Sequence, residues 1–240
     1  MLDLHCHILP GLDDGAERLE VSLSMAAMAA DSGVTHIFAT PHCNTRDTRK
    51  NLRTPALIDA YTALQDALDR AGIPVKILSG AEVLARGRFA EHLRAGDFMT
   101  LNGSRYLLVE FYFDEDPAYM EGCMSAVEAE GLIPVVAHPE RYFCVQRAPE
   151  LAQLWAERGR ILQLNKGSLL GELGEDAFTA ASLLLRRGAV SVIASDAHHF
   201  LQRSPDMGEL LPLLARRFPE VDPDLLLRRN PLRIAKDQAL

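Results

Sequence analysis

Imidazoles and carboxylates recur in this chain at the ends of short apolar runs, and that mixture of donors suits zinc, manganese or iron. The opening stretch MLDLHCHILPGLDDG (1–15) carries His5 and His7 two residues apart, with Asp14 shortly after. THIFAT (35–40) runs into Pro41 and His42, VKIL (75–78) leads into GAE ending at Glu82, and YLLVEF (106–111) contains Glu110. IPVVA (133–137) ends at His138, and AVSVIA (189–194) runs into SDAH, which supplies Asp196 and His198. Only ILQL (161–164) departs from the habit, ending at Asn165. Residues two apart on a strand point to the same side, so His5 and His7 face one way and Cys6 the other, as a packing residue. These groups are too many for one four- to six-coordinate ion. A carboxylate such as Glu82 can bridge two, so two or three metals are expected.

A lone His or Glu at a strand end is more often a cap or a surface group. That reading has to hold independently at six strand ends, which makes the metal reading the stronger one. Elsewhere the plain reading wins. His36 sits among apolar neighbours and reads as a core residue, His92 reads as an exposed helix residue, and His199 is ambiguous. The segment HCNTRDTR (42–49) also matches H-C-x5-R, the pattern of cysteine-based tyrosine phosphatases, with Cys43 as nucleophile and Arg49 on phosphate. Such a loop wraps backbone N–H groups around phosphate and needs glycine for the close approach. Here it holds Asn44, Thr45, Arg46, Asp47 and Thr48, followed by Lys50, and Asp47 would repel phosphate. His42 as a metal ligand explains more of the chain.

The elements that must position these residues alternate between strand and helix. With residues 2–5 as the first, seven strands are expected, with helices near 18–33, 54–72, 87–95, 116–130, 148–159 and 175–188. Thr54-Pro55 makes an N-cap followed by proline at the first helical position, and Gly72 closes that helix. Alternating β and α elements imply a parallel sheet, and seven units point to a (β/α) barrel whose C-terminal strand ends form one face. An open doubly wound sheet is the alternative, without a dinucleotide site, since no GxGxxG follows a strand.

With 240 residues, 48% of them apolar, a barrel-sized core can be buried. The net charge of −8 argues against a nucleic-acid surface. No run of about 18 apolar residues suggests a membrane span, and no secretory signal opens the chain, so a cytoplasmic protein is expected. The four scattered cysteines lack a CxxC pair, and Cys123 and Cys144 read as reduced, partly buried thiols.

Together these motifs resemble the PHP (polymerase and histidinol phosphatase) superfamily, and most closely its bacterial manganese-dependent tyrosine phosphatases of capsule and exopolysaccharide operons. The resemblance rests on DLHCHILPGLDDG (3–15), ATPH (39–42), GAEV (80–83), LVEF (108–111), AHPER (137–141) and SDAH (195–198), and covers nearly the whole chain. It implies one PHP-type phosphatase domain over 1–240, a distorted (β/α)7 TIM-like barrel of the PHP fold, with its metal site at the C-terminal strand ends. It further implies three divalent ions, manganese first, with iron or zinc also accepted by these ligands. His5, His7, Glu82 and Asp196 would hold the first; Glu82, Glu110 and His138 the second; Asp14, His42 and His198 the third. Arg141 and Arg203 would bind phosphate, and His198 or His199 could give a proton. Cys43 stands where a second histidine is common. The implied reaction is hydrolysis of phosphotyrosine by a metal-activated hydroxide, on the flexible tail of a membrane-associated bacterial tyrosine kinase. A PHP phosphoesterase for a small metabolite such as histidinol phosphate is the nearest alternative. A metal-dependent amidohydrolase and a non-catalytic metal module are more distant ones.

Overall fold

A computed structural model describes residues 1–45 and 51–240. Its strands are short and mostly apolar, and apart from the part-exposed Lys76–Ser79 they are largely buried, as parallel strands covered by helices are. In chain order they are β1 (Leu2–Cys6), β2 (His36–Ala39), β3 (His42–Cys43), β4 (Lys76–Ser79), β5 (Glu82–Leu84), β6 (Tyr106–Glu110), β7 (Ile133–Ala137), β8 (Ile161–Asn165) and β9 (Val192–Ala194). All pair in parallel, in the orders β1-β2-β4 and β3-β5-β6-β7-β8-β9.

The expected second and third strands are each split in two. Pro41, which has no N–H to donate, separates β2 from β3. Gly80 and Ala81 separate β4 from β5, and a Cβ at Gly80 would stand 3.0 Å from both Thr40 and Leu101 side chains. These two passages cross from one sheet to the other. The remaining gap is closed where the Asp196 N–H donates to the His5 carbonyl (2.8 Å) and the His7 N–H to the Ala197 carbonyl (2.8 Å). Seven strand passages are therefore linked edge to edge in a distorted (β/α) barrel. Buried Asp3 reinforces the closure, accepting from the N–H (2.9 Å) and hydroxyl (2.5 Å) of Ser195.

Among the described residues the larger helices are α1 (Leu19–Asp31), α2 (Pro55–Ala71), α3 (Phe89–Ala95), α4 (Pro117–Ala129), α6 (Glu150–Glu157), α8 (Glu175–Arg186) and α9 (Leu210–Arg217); α5 (Phe143–Arg147), α7 (Lys166–Leu170) and α10 (Asn230–Ala235) are shorter. Capping accounts for two starts. The Thr54 hydroxyl accepts from the Leu57 N–H ahead of Pro55, and Asp116 accepts from Ala118 and Tyr119 ahead of Pro117. No helix is expected from the sequence pattern at α5, α7, α9 or α10. The last strand is expected from 189, whereas β9 begins at Val192. Ala189 is engaged in closing α8, its N–H donating to the Leu184 carbonyl after left-handed Gly188.

Leu4, Phe38, Tyr106, Leu108, Val135, Ala137, Ile161, Val192 and Ala194 fill the barrel, with Ile234 of α10 at one end. Cys6 instead joins the outer cluster between strands and helices. Strict alternation would put Leu4 and Cys6 on one face. The β1–β2 register slips between Asp3 and Cys6, three steps on β1 against two on β2. This bulge turns His5 and His7 inward above Leu4, as bulges beside active sites do.

Candidate metal centre

At the C-terminal strand ends the structure brings together all nine side chains read as ligands. His5 Nε2 lies 3.3 Å from Glu82 Oε2 and 3.5 Å from Asp196 Oδ1. His7 Nε2 lies 3.2 and 3.4 Å from the same two oxygens, and the two Nε2 atoms are 3.1 Å apart. His138 Nε2 is 2.9 Å from Glu82 Oε1 and 3.7 Å from Glu110 Oε1. Asp14 Oδ1 lies 3.4 Å from His42 Nε2 and 3.5 Å from His198 Nε2. His42 spans two groups, because its Nδ1 is also 2.9 Å from Glu82 Oε2 and 3.5 Å from Glu110 Oε2. Three overlapping sets could each hold an ion: His7, Asp14, His42 and His198; His5, His7 and Asp196; and His42, Glu82 and Glu110.

The donor set fits a cation on its own terms. Glu82 Oε2 and Asp196 Oδ1 are buried and have no hydrogen-bond partner. Buried carboxylate oxygens left so cost several kcal/mol or neutralise. A tetrahedral shell with ligands at about 2.0–2.1 Å has edges of about 3.3–3.4 Å, close to the 3.1 Å between the His5 and His7 Nε2 atoms and the 3.2–3.5 Å from each of them to the two oxygens. Burial, and then the Glu82 charge, push the Glu110 carboxyl up to about 8. Burial opposes ionisation of Glu82 too, but the adjoining His5 and His42 rings outweigh it and hold its carboxyl well below the usual range.

Hydrogen bonds behind the histidines fix which nitrogen faces inward. Asp196 can only accept, so Asn165 Nδ2 donates to its Oδ2 (2.6 Å). Asn165 Oδ1 then accepts from Gln163 Nε2 (3.0 Å), which leaves Gln163 Oε1 to accept from His5 Nδ1 (2.9 Å). His5 thus carries its proton on Nδ1 and turns a lone pair inward on Nε2. His7 Nδ1 donates to Asp13 Oδ2 (2.7 Å), and His198 Nδ1 donates to the Asp196 carbonyl (3.1 Å), with the same result. Such outer partners orient ligands and raise their basicity.

Both expected phosphate-binding arginines reach this face and lean on Asp196. Arg203 Nη2 is 2.5 Å and Arg141 Nη1 3.6 Å from Asp196 Oδ2. The Arg141 guanidinium also lies 4.4 Å from the Phe113 ring centre. His138, Asp196 and Arg203 all adopt left-handed backbone, with φ of 34°, 51° and 49°. Such conformations persist for non-glycine residues only where the surroundings impose them.

Several residues read differently in place. Asp13, passed over for Asp14, is the inner anchor, accepting from His7 and from the His42 N–H (2.8 Å). Asp14 stays exposed. Glu140, which the AHPER motif contains without a role, is buried and accepts from the Asn165 N–H (3.0 Å) and the Ser168 hydroxyl (2.6 Å). Gln163 and Asn165 had no ligand chemistry to flag them; their inward spacing on strand β8 was the available signal. His36 is half-buried, not core, with Nδ1 2.9 Å from the Thr35 hydroxyl. His92 is half-buried, not exposed, and pairs with Asp97 (2.8 Å). His199 stacks on Phe200, away from the ligand sets. Cys43 is buried, and burial pushes its thiol up to about 12, which removes the thiolate that a nucleophile requires. Arg46, Asp47, Thr48, Arg49 and Lys50 lie outside the described residues.

Residues 1–236 match the model of the family described as capsular polysaccharide synthesis, CpsB/CapC. The chain is 35% identical over 232 residues to the tyrosine-protein phosphatase YwqE of Bacillus subtilis, covering 97% of this chain and 91% of that protein. It is 28% identical over 248 residues to the tyrosine-protein phosphatase CpsB of Streptococcus pneumoniae, covering 100% of both. Among solved structures it superposes with a TM-score of 0.91, at 33% identity over 100% of this chain and 96% of the other, on a structure from a study of YwqE and CpsB as metal-dependent tyrosine phosphatases.

Proposed function

Since the chain belongs to the CpsB/CapC family of capsular polysaccharide synthesis, we propose that it is a metal-dependent protein-tyrosine phosphatase, one catalytic domain hydrolysing phosphotyrosine. The observation that carries this reading is the pair of buried, unpartnered oxygens, Glu82 Oε2 and Asp196 Oδ1, facing the inward nitrogens of His5 and His7.

We assign three divalent ions, manganese in the cell, to His5, His7, Glu82 and Asp196; to Glu82, Glu110 and His138; and to Asp14, His42 and His198. His42 supports the compactness of this arrangement, since its two nitrogens face different carboxylates. Bound divalent ions supply Lewis acidity and bring the pKa of water towards neutrality. The chain supplies the rest. Arg141 and Arg203 offer planar forks of N–H donors that match phosphate oxygens and neutralise charge as it develops. Both now share Asp196 Oδ2 with Asn165, so the Asn165 bond keeps that oxygen satisfied when the arginines turn to phosphate. A phenol leaves readily, with a pKa of about 10, so a strong proton donor is not required. His198 serves as a ligand, because its Nδ1 proton is committed to the Asp196 carbonyl.

The proposed substrate is the phosphotyrosine-bearing tail of a membrane-associated tyrosine kinase that regulates capsule or exopolysaccharide synthesis, met in the cytoplasm. Support comes from the family's link to capsular polysaccharide synthesis. Among the described residues no helix is long and apolar enough to cross a membrane. The test is hydrolysis of a phosphotyrosine peptide and of histidinol phosphate by stripped protein, before and after Mn²⁺ is returned. Activity that needs the metal and favours the peptide is expected. Full activity after stripping would overturn the metal reading, and preference for histidinol phosphate would move the substrate to a small metabolite.

A further inference from the structure

Lys166, the first residue of α7, is 3% exposed. Among the described residues no carboxylate pairs with its ammonium. Its Nζ donates instead to the carbonyls of Ser204 (2.6 Å) and Asp206 (2.7 Å) and lies 3.3 Å from the Ser204 hydroxyl. A buried ammonium whose direct contacts are all neutral oxygens, with Glu172, Asp3 and Asp206 attracting it only from further off, is an expensive way to fill space, and an apolar side chain would pack there at lower cost. All three contacts fall on the segment just after Arg203.

Beyond these contacts the segment is anchored downstream, where Pro205 and Met207 are buried and the Met207 N–H donates to the Ser32 hydroxyl (3.1 Å); upstream it is more open. Leu201 is 76% exposed, Gln202 is exposed, and Arg203 sits in left-handed backbone. Upstream, one backbone bond ties it down, from the His198 N–H to the Arg203 carbonyl (3.0 Å). The platform beneath Lys166 is firm, because buried Glu140 accepts from both the Asn165 N–H and the Ser168 hydroxyl.

We infer that Lys166 is a positioning residue that clamps the Ser204–Asp206 segment and thereby aims Arg203 at the phosphate. This rests on the reading of Arg203 as a phosphate-binding group. Lys166 touches neither a proposed ligand nor the substrate, so its effect reaches the site only through the placement of Arg203.

The test is Lys166→Met in the metal-loaded protein, alone and combined with Arg203→Ala or Arg141→Ala. Inhibition by inorganic phosphate should weaken about tenfold, as for a disturbed charge-assisted hydrogen bond. KM should rise in parallel, kcat should change much less, and metal content should not change. The loss should vanish in the Arg203→Ala background and multiply with Arg141→Ala, because coupling is confined to residues that act together. Amide exchange over residues 199–206 should accelerate. Equal losses in both backgrounds, lost metal or unchanged exchange would overturn the inference. Should Lys166→Met fail to fold, the shorter, neutral Lys166→Gln should give a smaller loss in the same direction, again cancelled by Arg203→Ala. Phosphate binding and exchange need no phosphotyrosine turnover, so failure of the tyrosine phosphatase reading is recognised separately, by the peptide assay.

Discussion

At Gly15 a Cβ would lie 2.1 Å from the His7 carbonyl oxygen and 2.4 Å from the His7 Cβ. No side chain fits there, and the Ala16 N–H donates to the same carbonyl (3.0 Å), so the PGLDDG loop is folded flat against the histidine it serves. One residue earlier in that loop, Asp14 is exposed, while Asp13 is turned in to accept from His7 and His42. The two aspartates are chemically identical in the sequence, and only the backbone path separates the orienter from the proposed ligand. The neighbours His42 and Cys43 divide in the same way. Cys43→Ser should retain most of the activity, because a buried thiol held near 12 offers no thiolate at neutral pH. His42→Ala should lose more than the roughly 10–100-fold typical of outer-shell changes, with metal lost too. Turnover of an aryl phosphate with added Mn²⁺, with metal content measured in parallel, checks both; an inactive Cys43→Ser beside an active His42→Ala would restore the thiol mechanism.

Two elements decide how the centre is aimed. The bulge in β1 lets Leu4 fill the barrel while His5 and His7 also face inward. No residue type in DLHCH announces it; it becomes visible only against the register of β2. Strand β8 lacks a proposed ligand, yet it controls two of them through the Gln163–Asn165 amide chain. Asn165→Ala would free the Asp196 oxygen and, through Gln163, the His5 tautomer. Metal affinity should fall about 10–100-fold, as read by competition with a chromogenic chelator, while the far-ultraviolet circular dichroism of the loaded protein stays the same. Unchanged affinity would mean that the amide chain is only packing.

Over the whole molecule, the barrel gathers like charges that a fold would otherwise avoid. Glu82, Glu110 and Asp196 converge beside one another, and burial with Glu82 repulsion already lifts the Glu110 carboxyl to about 8. A cation relieves this in the folded state alone, so metal should stabilise the protein against unfolding. At a free concentration 100 times the dissociation constant, the expected gain is about 2.7 kcal/mol. Thermal denaturation with a chelator and with Mn²⁺ should show a higher Tm with the metal, and equal values would contradict the converging-ligand reading. Closure of the ring depends on contacts far apart in the chain, Asp3 with Ser195 and His5 with Asp196. The termini of the strand series must therefore meet before the first metal set exists.

The sequence alone determined the inventory: which residue types stand at strand ends, the alternation of strand and helix, and the family that those motifs resemble. These are local properties, carried by periodicity, caps and short spacings, and ligand chemistry is visible in residue identity. Tertiary structure decided what each group does there. It split the second and third strands, bulged the first, chose Asp13 over Asp14 as the orienter of His7, and recruited Glu140, Gln163, Asn165 and Lys166. Each of those outcomes depends on hydrogen bonds or packing between segments brought together by the barrel, such as the 158-residue span from His5 to Gln163. A side chain's identity states which bonds it can make; the partner that the fold sets beside it determines which bond is made.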